Sequence, residues 1–264
     1  MTSEETVNYI LEHKCSCARF GDGEFAVMAG DSNGFQKVDL KLGERLKEVM
    51  ESQNPRLLIC IPYSLIDIKP YVLNSQLSAL GYRSLYLKDI IKNFVPITQQ
   101  YGDNLFTRFY MSRKDKRHVI EYVNLIKRLW EDQNVLIVEG KYSRLGVGND
   151  LFDNARTIKR ILCPSKNAFD SYDEILKQTK DNSVGRLVIL AIGMTATVLA
   201  YDLAKDDIQA LDLGHIDVEY EWFRMGAKHK VAIPGKHVNE VAGGDVNTNL
   251  ADQTYLNQII SEIS

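Results

Sequence analysis

Short apolar runs alternate with stretches of helical spacing along nearly the whole chain, and this alternation constrains the fold more than any other feature. CSCARF, RLLICIP, NVLIVEG, IKRILCP, RLVILAIG and ALDLGHI have the length and aliphatic character of strands covered on both faces. YRSLYL, after a helix expected around Tyr71 to Leu80, also reads as a strand. Ser3, the acids after it, and Val7, Ile10 and Leu11 predict a capped first helix. Further helices are expected over Leu42 to Ser52, Asp115 to Asp132, NDLFDNAR, DSYDEILKQTK and ATVLAYDLAKD. Four or five apolar strands alternating with helices predict an α/β fold: a Rossmann-like, doubly wound, mostly parallel sheet with helices on both faces. No internal repeat or Pro/Gly/Ser-rich linker interrupts the pattern, so residues 1–264 read as a single domain, with Phe94 to Met111 as a candidate inserted excursion.

Composition removes several classes. A formal net charge of −3 lacks the basic surplus of a dedicated nucleic-acid binder. The basic group Arg113-Lys114-Lys116-Arg117 lies in a charged helical stretch and reads as a solvated face. No segment reaches the ~18 apolar residues of a membrane span. MTSEETVNYI carries acids where an export signal has bases, so a cytoplasmic protein with four buried, reduced cysteines is expected. The histidines form no H-x-x-x-H array and no G-x-S-x-G elbow is present, which excludes a zinc hydrolase and a serine hydrolase.

In open α/β sheets ligands bind beyond the carboxyl ends of the strands, so the residues following each strand carry the functional signal. After CSCARF comes Gly21-Asp22-Gly23-Glu24, whose paired carboxylates suit a divalent cation or cap the helix that follows. After NVLIVEG comes KYSRLGVGND, where Gly146 and Gly148 precede a helix expected at about Asn149. Lys141 and Arg144 supply positive charge there, an arrangement suited to a phosphate. After RLVILAIG, Thr195 and Thr197 stand near a helix start, as caps or as contacts to a donor. GHIDVEYEW brings Asp217, Glu219 and Glu221 next to His215. If helical, Asp217 and Glu221 share a face and Glu219 points elsewhere; if extended, all three acids align. One of these carboxylates is a candidate general base toward a hydroxyl, Asp217 first and Glu219 in reserve. PGKHVNEVAGGD gathers Lys236, His237, Asn239 and Glu240 in a loop able to close over a ligand or to remain a surface connection.

Five blocks in order, RFGDGE, SRLGVGNDLF, AIGMTATVLAYDL, LDLGHIDVEYEW and GKHVNE, resemble the bacterial GT-D-fold glycosyltransferases, once a domain of unknown function. The resemblance runs from about Arg19 to Glu240. It implies a transferase dependent on Mn²⁺ or Mg²⁺ that moves a sugar from a nucleotide-sugar donor, UDP-glucose first, onto the glycan of a serine-rich bacterial surface adhesin. The family's D-x-E feature maps onto Asp22-Gly23-Glu24 or onto Asp217-Val218-Glu219. The resulting assignment puts Asp22 and Glu24 at a metal and Asp217, Glu219 and His215 at the chemistry. Arg19, Gly21, Lys141, Arg144, Gly148, Asn149, Thr195 and Lys236 are then the donor-binding set. Two other classes compete. One is a non-catalytic nucleotide-sugar-binding module. The other is a different doubly wound nucleotide enzyme, such as a nucleoside phosphorylase or a dinucleotide oxidoreductase, although the oxidoreductase lacks its G-x-G-x-x-G.

Overall fold

The computed structural model describes residues 1–31, 37–86, 92–96, 99–244, 246, 248 and 250–264. Its strands are β1 (Ser16–Arg19), β2 (Leu57–Ile61), β3 (Gly102–Asp103), β4 (Asn134–Gly140), β5 (Thr157–Cys163), β6 (Leu187–Ala191), β7 (Ala210–Asp212) and β8 (Ile259–Glu262). They form one sheet in the order β3-β2-β1-β7-β6-β4-β5-β8. Every pairing is parallel.

The helices are α1 (Ser3–His13), α2 (Asp22–Met28), α3 (Leu40–Met50), α4 (Leu73–Tyr86), the single turn α5 (Lys92–Phe94), α6 (Val119–Lys127), α7 (Tyr172–Asn182), α8 (Thr195–Lys205), α9 (Ile216–Arg224) and α10 (Gln253–Gln258). The strands alternate between two cores because successive side chains point to opposite faces. Leu136 and Val138 of β4 join Val188 and Leu190 of β6 beneath α2, α3, α7 and α8. Val135 and Ile137 join Leu187 and Ile189 beneath α1, α6 and α9. A sheet buried on both sides explains why its central strands read as continuous apolar runs.

The structure departs from the expected elements in several places. α4 continues through YRSLYL as far as Tyr86, so that segment is helix; its last residue, Leu87, lies outside the described residues. NDLFDNAR forms turns, with Leu151 and Phe152 buried and Phe152 against Trp130, their ring centroids 4.7 Å apart. α6 covers only the middle of Asp115 to Asp132. The first helix is capped by Thr2, in a reciprocal pair with Glu5, while the Ser3 hydroxyl donates to Asp103 at 2.5 Å. Phe94 to Met111 is no excursion, since it carries edge strand β3. Arg113 turns inward to pair with Asp103 at 3.2 Å, leaving the rest of its basic group at the surface.

The chain leaves β1 into α2, whose Phe25, Val27 and Met28 join one core, and leaves β7 into α9, whose Ile216, Val218 and Tyr220 join the other. The neighbouring strands β1 and β7 therefore send their outgoing connections to opposite faces of the sheet, which is where doubly wound sheets hold ligands.

Candidate active site

Arg19 ends β1 and Asp212 ends β7. The Asp212 carboxylate accepts from the Arg19 backbone N–H and from its guanidinium, both at 3.4 Å. Arg19 Nη1 also donates to Thr107 Oγ1 at 2.8 Å and to the Asn104 carbonyl at 3.0 Å. Gly214, which follows β7 with φ +48°, makes room for this guanidinium: a Cβ there would lie 1.9 Å from Arg19 Nη2. Thr197 of α8 donates to the Arg19 carbonyl at 3.0 Å, and Thr195, also buried, begins that helix beside the end of β6.

The GDGE loop turns directly into α2, so that Asp22 and Glu24 both lie in its first turn. Glu24 caps the helix by accepting from the Gly21 N–H at 2.8 Å. Burial first, and then the Asp212 charge, push the Glu24 carboxyl up to about 7. Burial likewise raises Asp212, against the pull of Arg19. Asp22 is exposed and accepts from the Gly23 N–H at 3.1 Å.

His215 follows β7 and enters a cluster built from distant segments. Its Nε2 lies 2.8 Å from Asn239 Oδ1, and its Nδ1 lies 3.2 Å from Arg108 Nη2. A guanidinium can only donate, so Nδ1 is the acceptor and Nε2 carries the proton. Burial and the Arg108 charge lower the imidazole to about 4, which keeps it neutral at physiological pH. Arg108 also donates to Glu240 and lies 3.6 Å from Glu219.

α9 is helical through GHIDVEYEW, so the helical alternative for its acids holds. Asp217 Oδ1 accepts from the Gly146 N–H at 2.9 Å and from Asn149 at 2.7 Å, and its Oδ2 accepts from Lys236 at 2.5 Å. Glu221 shares Asn149 at 2.6 Å and Lys236 at 3.4 Å. Glu219 points the other way, accepting from the Tyr110 and Met111 N–H groups at 3.0 and 2.8 Å. Asp217 and Glu219 are each 1% exposed and surrounded by protein donors. Both Asp217 oxygens are taken; Glu219 Oε1 accepts no hydrogen bond among the described residues but is enclosed beside Arg108, 3.6 Å away, on a side chain 2% exposed.

The expected phosphate loop meets a similar correction. No helix begins at Asn149, and the loop's own groups are spent on Asp217: the Gly146 N–H, the Asn149 amide and, from the facing segment, Lys236. Arg144, 3% exposed, donates to the carbonyls of Gly235 and Thr248. Lys141 pairs with Glu262 of edge strand β8. Gly148 passes its carbonyl to Arg224 at 3.2 Å. Of the expected donor-binding set, Arg19, Gly21 and Thr195 remain at the ends of β1 and β6. Lys141, Arg144, Gly148, Asn149 and Lys236 instead bind the surrounding loops to one another.

Residues 17–241 match the family model described as glycosyltransferase GT-D fold. The chain belongs to this family. It is 38% identical over its full length to the probable glycosyl transferase Gly of Streptococcus gordonii. It is 36% identical, over 98% of its length, to the glycosyltransferase GlyD of Streptococcus pneumoniae serotype 4. It spans 39% and 32% of those two proteins. Among solved structures it resembles a glycosyltransferase from Streptococcus sanguinis assigned to domain of unknown function 1792, with TM-score 0.94, 39% identity, and coverage of 100% of this chain and 98% of that one. A second structure of that domain, described as having a distinct glycosyltransferase fold, gives TM-score 0.92 and 39% identity, covering 100% of this chain and 95% of the other.

In this GT-D chain the two D-x-E triplets differ in their suitability for a cation. Asp217 and Glu219 lie on opposite sides of α9 and are already neutralised. Asp22 and Glu24 share the first turn of α2, one carboxylate exposed and the other held up by burial and by Asp212. Bringing a cation near would relieve that charge, so the hard-oxygen set fits Mn²⁺ or Mg²⁺. Among the described residues no three His, Cys, Asp or Glu side chains group closely enough to hold a metal by themselves.

Neither Arg108 nor Asp212 is set apart by a motif in the sequence, and Glu240 stands there only as part of a polar loop. The available signal was a charge embedded in an apolar run, as in NLFTRFYM and QALDLGH. The same signal marks Glu139 in NVLIVEG and Arg160 in IKRILC, a buried pair at 2.6 Å joining β4 to β5.

Proposed function

We propose that residues 1–264 act as a single catalytic domain that transfers a hexose, glucose first, from a uridine diphosphate sugar to a glycan of a serine-rich bacterial surface adhesin. The observation that carries the reading is the convergence of Asp22, Glu24, Asp212 and Arg19 at the carboxyl ends of β1 and β7 in a GT-D fold. The identities of donor and acceptor rest on the family resemblance. Among the described residues no helix is long and apolar enough to cross a membrane, and four buried free thiols suit a cytoplasmic location.

Asp22 and Glu24 would hold the divalent cation, which when bound offsets the charge developing on the departing diphosphate. Arg19 keeps Asp212 in place and anchors the Asn104–Thr107 turn on which Arg108 follows. The amino end of α8, at the carboxyl end of β6, favours negative charge near Thr195. In this reading Asp217, Glu219 and His215 act as positioning groups. Asp217 fixes the 144–149 loop to Lys236, Glu219 fixes the backbone at Tyr110 and Met111, and His215 ties Arg108 to Asn239.

A screen of nucleotide sugars tests the proposal, with the chain supplied with Mn²⁺, Mg²⁺ or EDTA and with product nucleotide as the readout. Release from UDP-glucose that requires metal is expected, and Asp22→Ala or Glu24→Ala should abolish it with the fold intact. Full turnover in EDTA, or in both variants, would remove the metal from the reaction. No turnover with any donor, together with tight donor binding, would mark a binding module instead.

A further inference from the structure

Arg108 follows the Asn104–Thr107 turn and emerges among acids from three segments. Its side chain is 21% exposed. Its Nη2 edge is taken by Glu240 and by His215 Nδ1. Its Nη1 makes no hydrogen bond among the described residues; Glu219, 3.6 Å away, faces it as a charge and spends Oε2 on two backbone N–H groups. Burial works against the Arg108 charge, and Glu240, Glu219 and Asp22 all support it. Asn104, which opens the turn before Arg108, donates to the Phe20 carbonyl at 2.7 Å, two residues before Asp22, so that turn packs against the start of the loop bearing the proposed cation pair.

The three partners differ in how firmly they are held. Glu219 belongs to α9 and is fixed by backbone donors. His215 is held from its far side by Asn239. Glu240 lies outside any helix or strand, in the segment after Ile233, and its second oxygen already pairs with Lys230. Burial alone would raise its carboxyl, but the Arg108 charge, with help from His215 and Lys230, holds it down at about 2. Glu240 is therefore an anion at any working pH. A guanidinium fork accepts carboxylate and phosphate oxygens in the same geometry.

We propose that Arg108 binds the donor's diphosphate and that Glu240 is its internal competitor, a carboxylate that yields the guanidinium and stays with Lys230 when the donor enters. The inference rests on the nucleotide-sugar reading and adds a residue of this chain that would bind the leaving diphosphate, besides the acids that would hold its cation. In the absence of donor, Glu240 keeps the guanidinium from standing with an uncompensated charge.

The test is calorimetric titration of the chain with UDP, UMP and uridine, with Mn²⁺ and again in EDTA. Glu240→Gln should bind UDP several-fold tighter and leave uridine unchanged. Arg108→Lys keeps the charge but loses the fork. It should weaken UDP about tenfold or more, the worth of a charge-assisted hydrogen bond, with uridine again unchanged. Loss of Arg108 leaves Glu219 and Glu240 facing each other, so the thermal midpoint of each variant is measured alongside. Arg108→Gln with Glu240→Gln removes that repulsion and should erase the gain that Glu240→Gln gives alone. If the wild type binds UDP and neither Glu240→Gln nor Arg108→Lys changes that affinity, the inference is overturned and the proposed function stands. A wild type that binds none of the three ligands overturns both.

Discussion

Replacing Asp217 with asparagine separates a structural carboxylate from a catalytic one. The side chains of Asp217 and Lys236 are 2% and 5% exposed and meet at 2.5 Å. Asparagine keeps the shape and an acceptor for the Gly146 N–H, but Lys236 then retains only Glu221, 3.4 Å away. Removing one partner of a buried ion pair costs about 3–5 kcal/mol, and the remaining Glu221 should hold the loss near the lower end. At roughly 2–4 °C per kcal/mol for a chain of this size class, the midpoint should fall by about 6–12 °C. Trp130 and Trp222 are fully buried, so intrinsic fluorescence during urea or thermal unfolding reports the change. Lys236→Met should cost a similar amount. The double variant should cost clearly less than the sum, because the two changes remove one shared interaction. Turnover, assayed well below the lowered midpoint, should fall only as far as loosening of the 144–149 loop requires. An Asp217→Asn variant with the wild-type midpoint and intact donor binding, but turnover reduced ~10²–10⁴-fold, would refute the reasoning and make Asp217 the acceptor's base.

Gly214→Ala should destabilise the protein by about 1–2 kcal/mol through its left-handed backbone alone. It should also push the Arg19 guanidinium off Asp212, so a lowered urea midpoint should accompany weaker donor binding; an unchanged midpoint would contradict the close approach. Glu24 gives a pH dependence of defined sign. Its folded-state value of about 7 lies above the ordinary 4.5, so its contribution to stability is full below about 4.5 and is lost as pH rises through 7. In EDTA, Glu24→Gln should therefore gain on the wild type between pH 5 and pH 8, by about 1–3 kcal/mol after discounting for partial exposure, as read from urea midpoints. A flat difference across that range would mean that the carboxyl is not held in its neutral form.

What the sequence by itself determined is the layered architecture. Six apolar runs became β1, β2, β4, β5, β6 and β7, because a strand covered on both faces must be apolar along its length, and that requirement is visible residue by residue. The edge strands left no such trace. β3 is two residues long, and β8 alternates between partly buried and exposed positions. YRSLYL and NDLFDNAR were read against the fold because aromatic and leucine residues suit strand, helix or packed turn equally well, and only the neighbouring surfaces decide among them. The strand-end loops were also legible, since parallel strands carry all their carboxyl ends to one edge. Which charges meet there was not. Arg19 finds Asp212 across 193 positions, Arg108 finds Glu240 across 132, and Asp217 takes the Lys236 that had been expected at a phosphate. Periodicity is a local property of the chain, but ion pairing depends on which strand lies beside which and on how deeply each carboxylate is desolvated. Both are set only when the crossovers close the sheet.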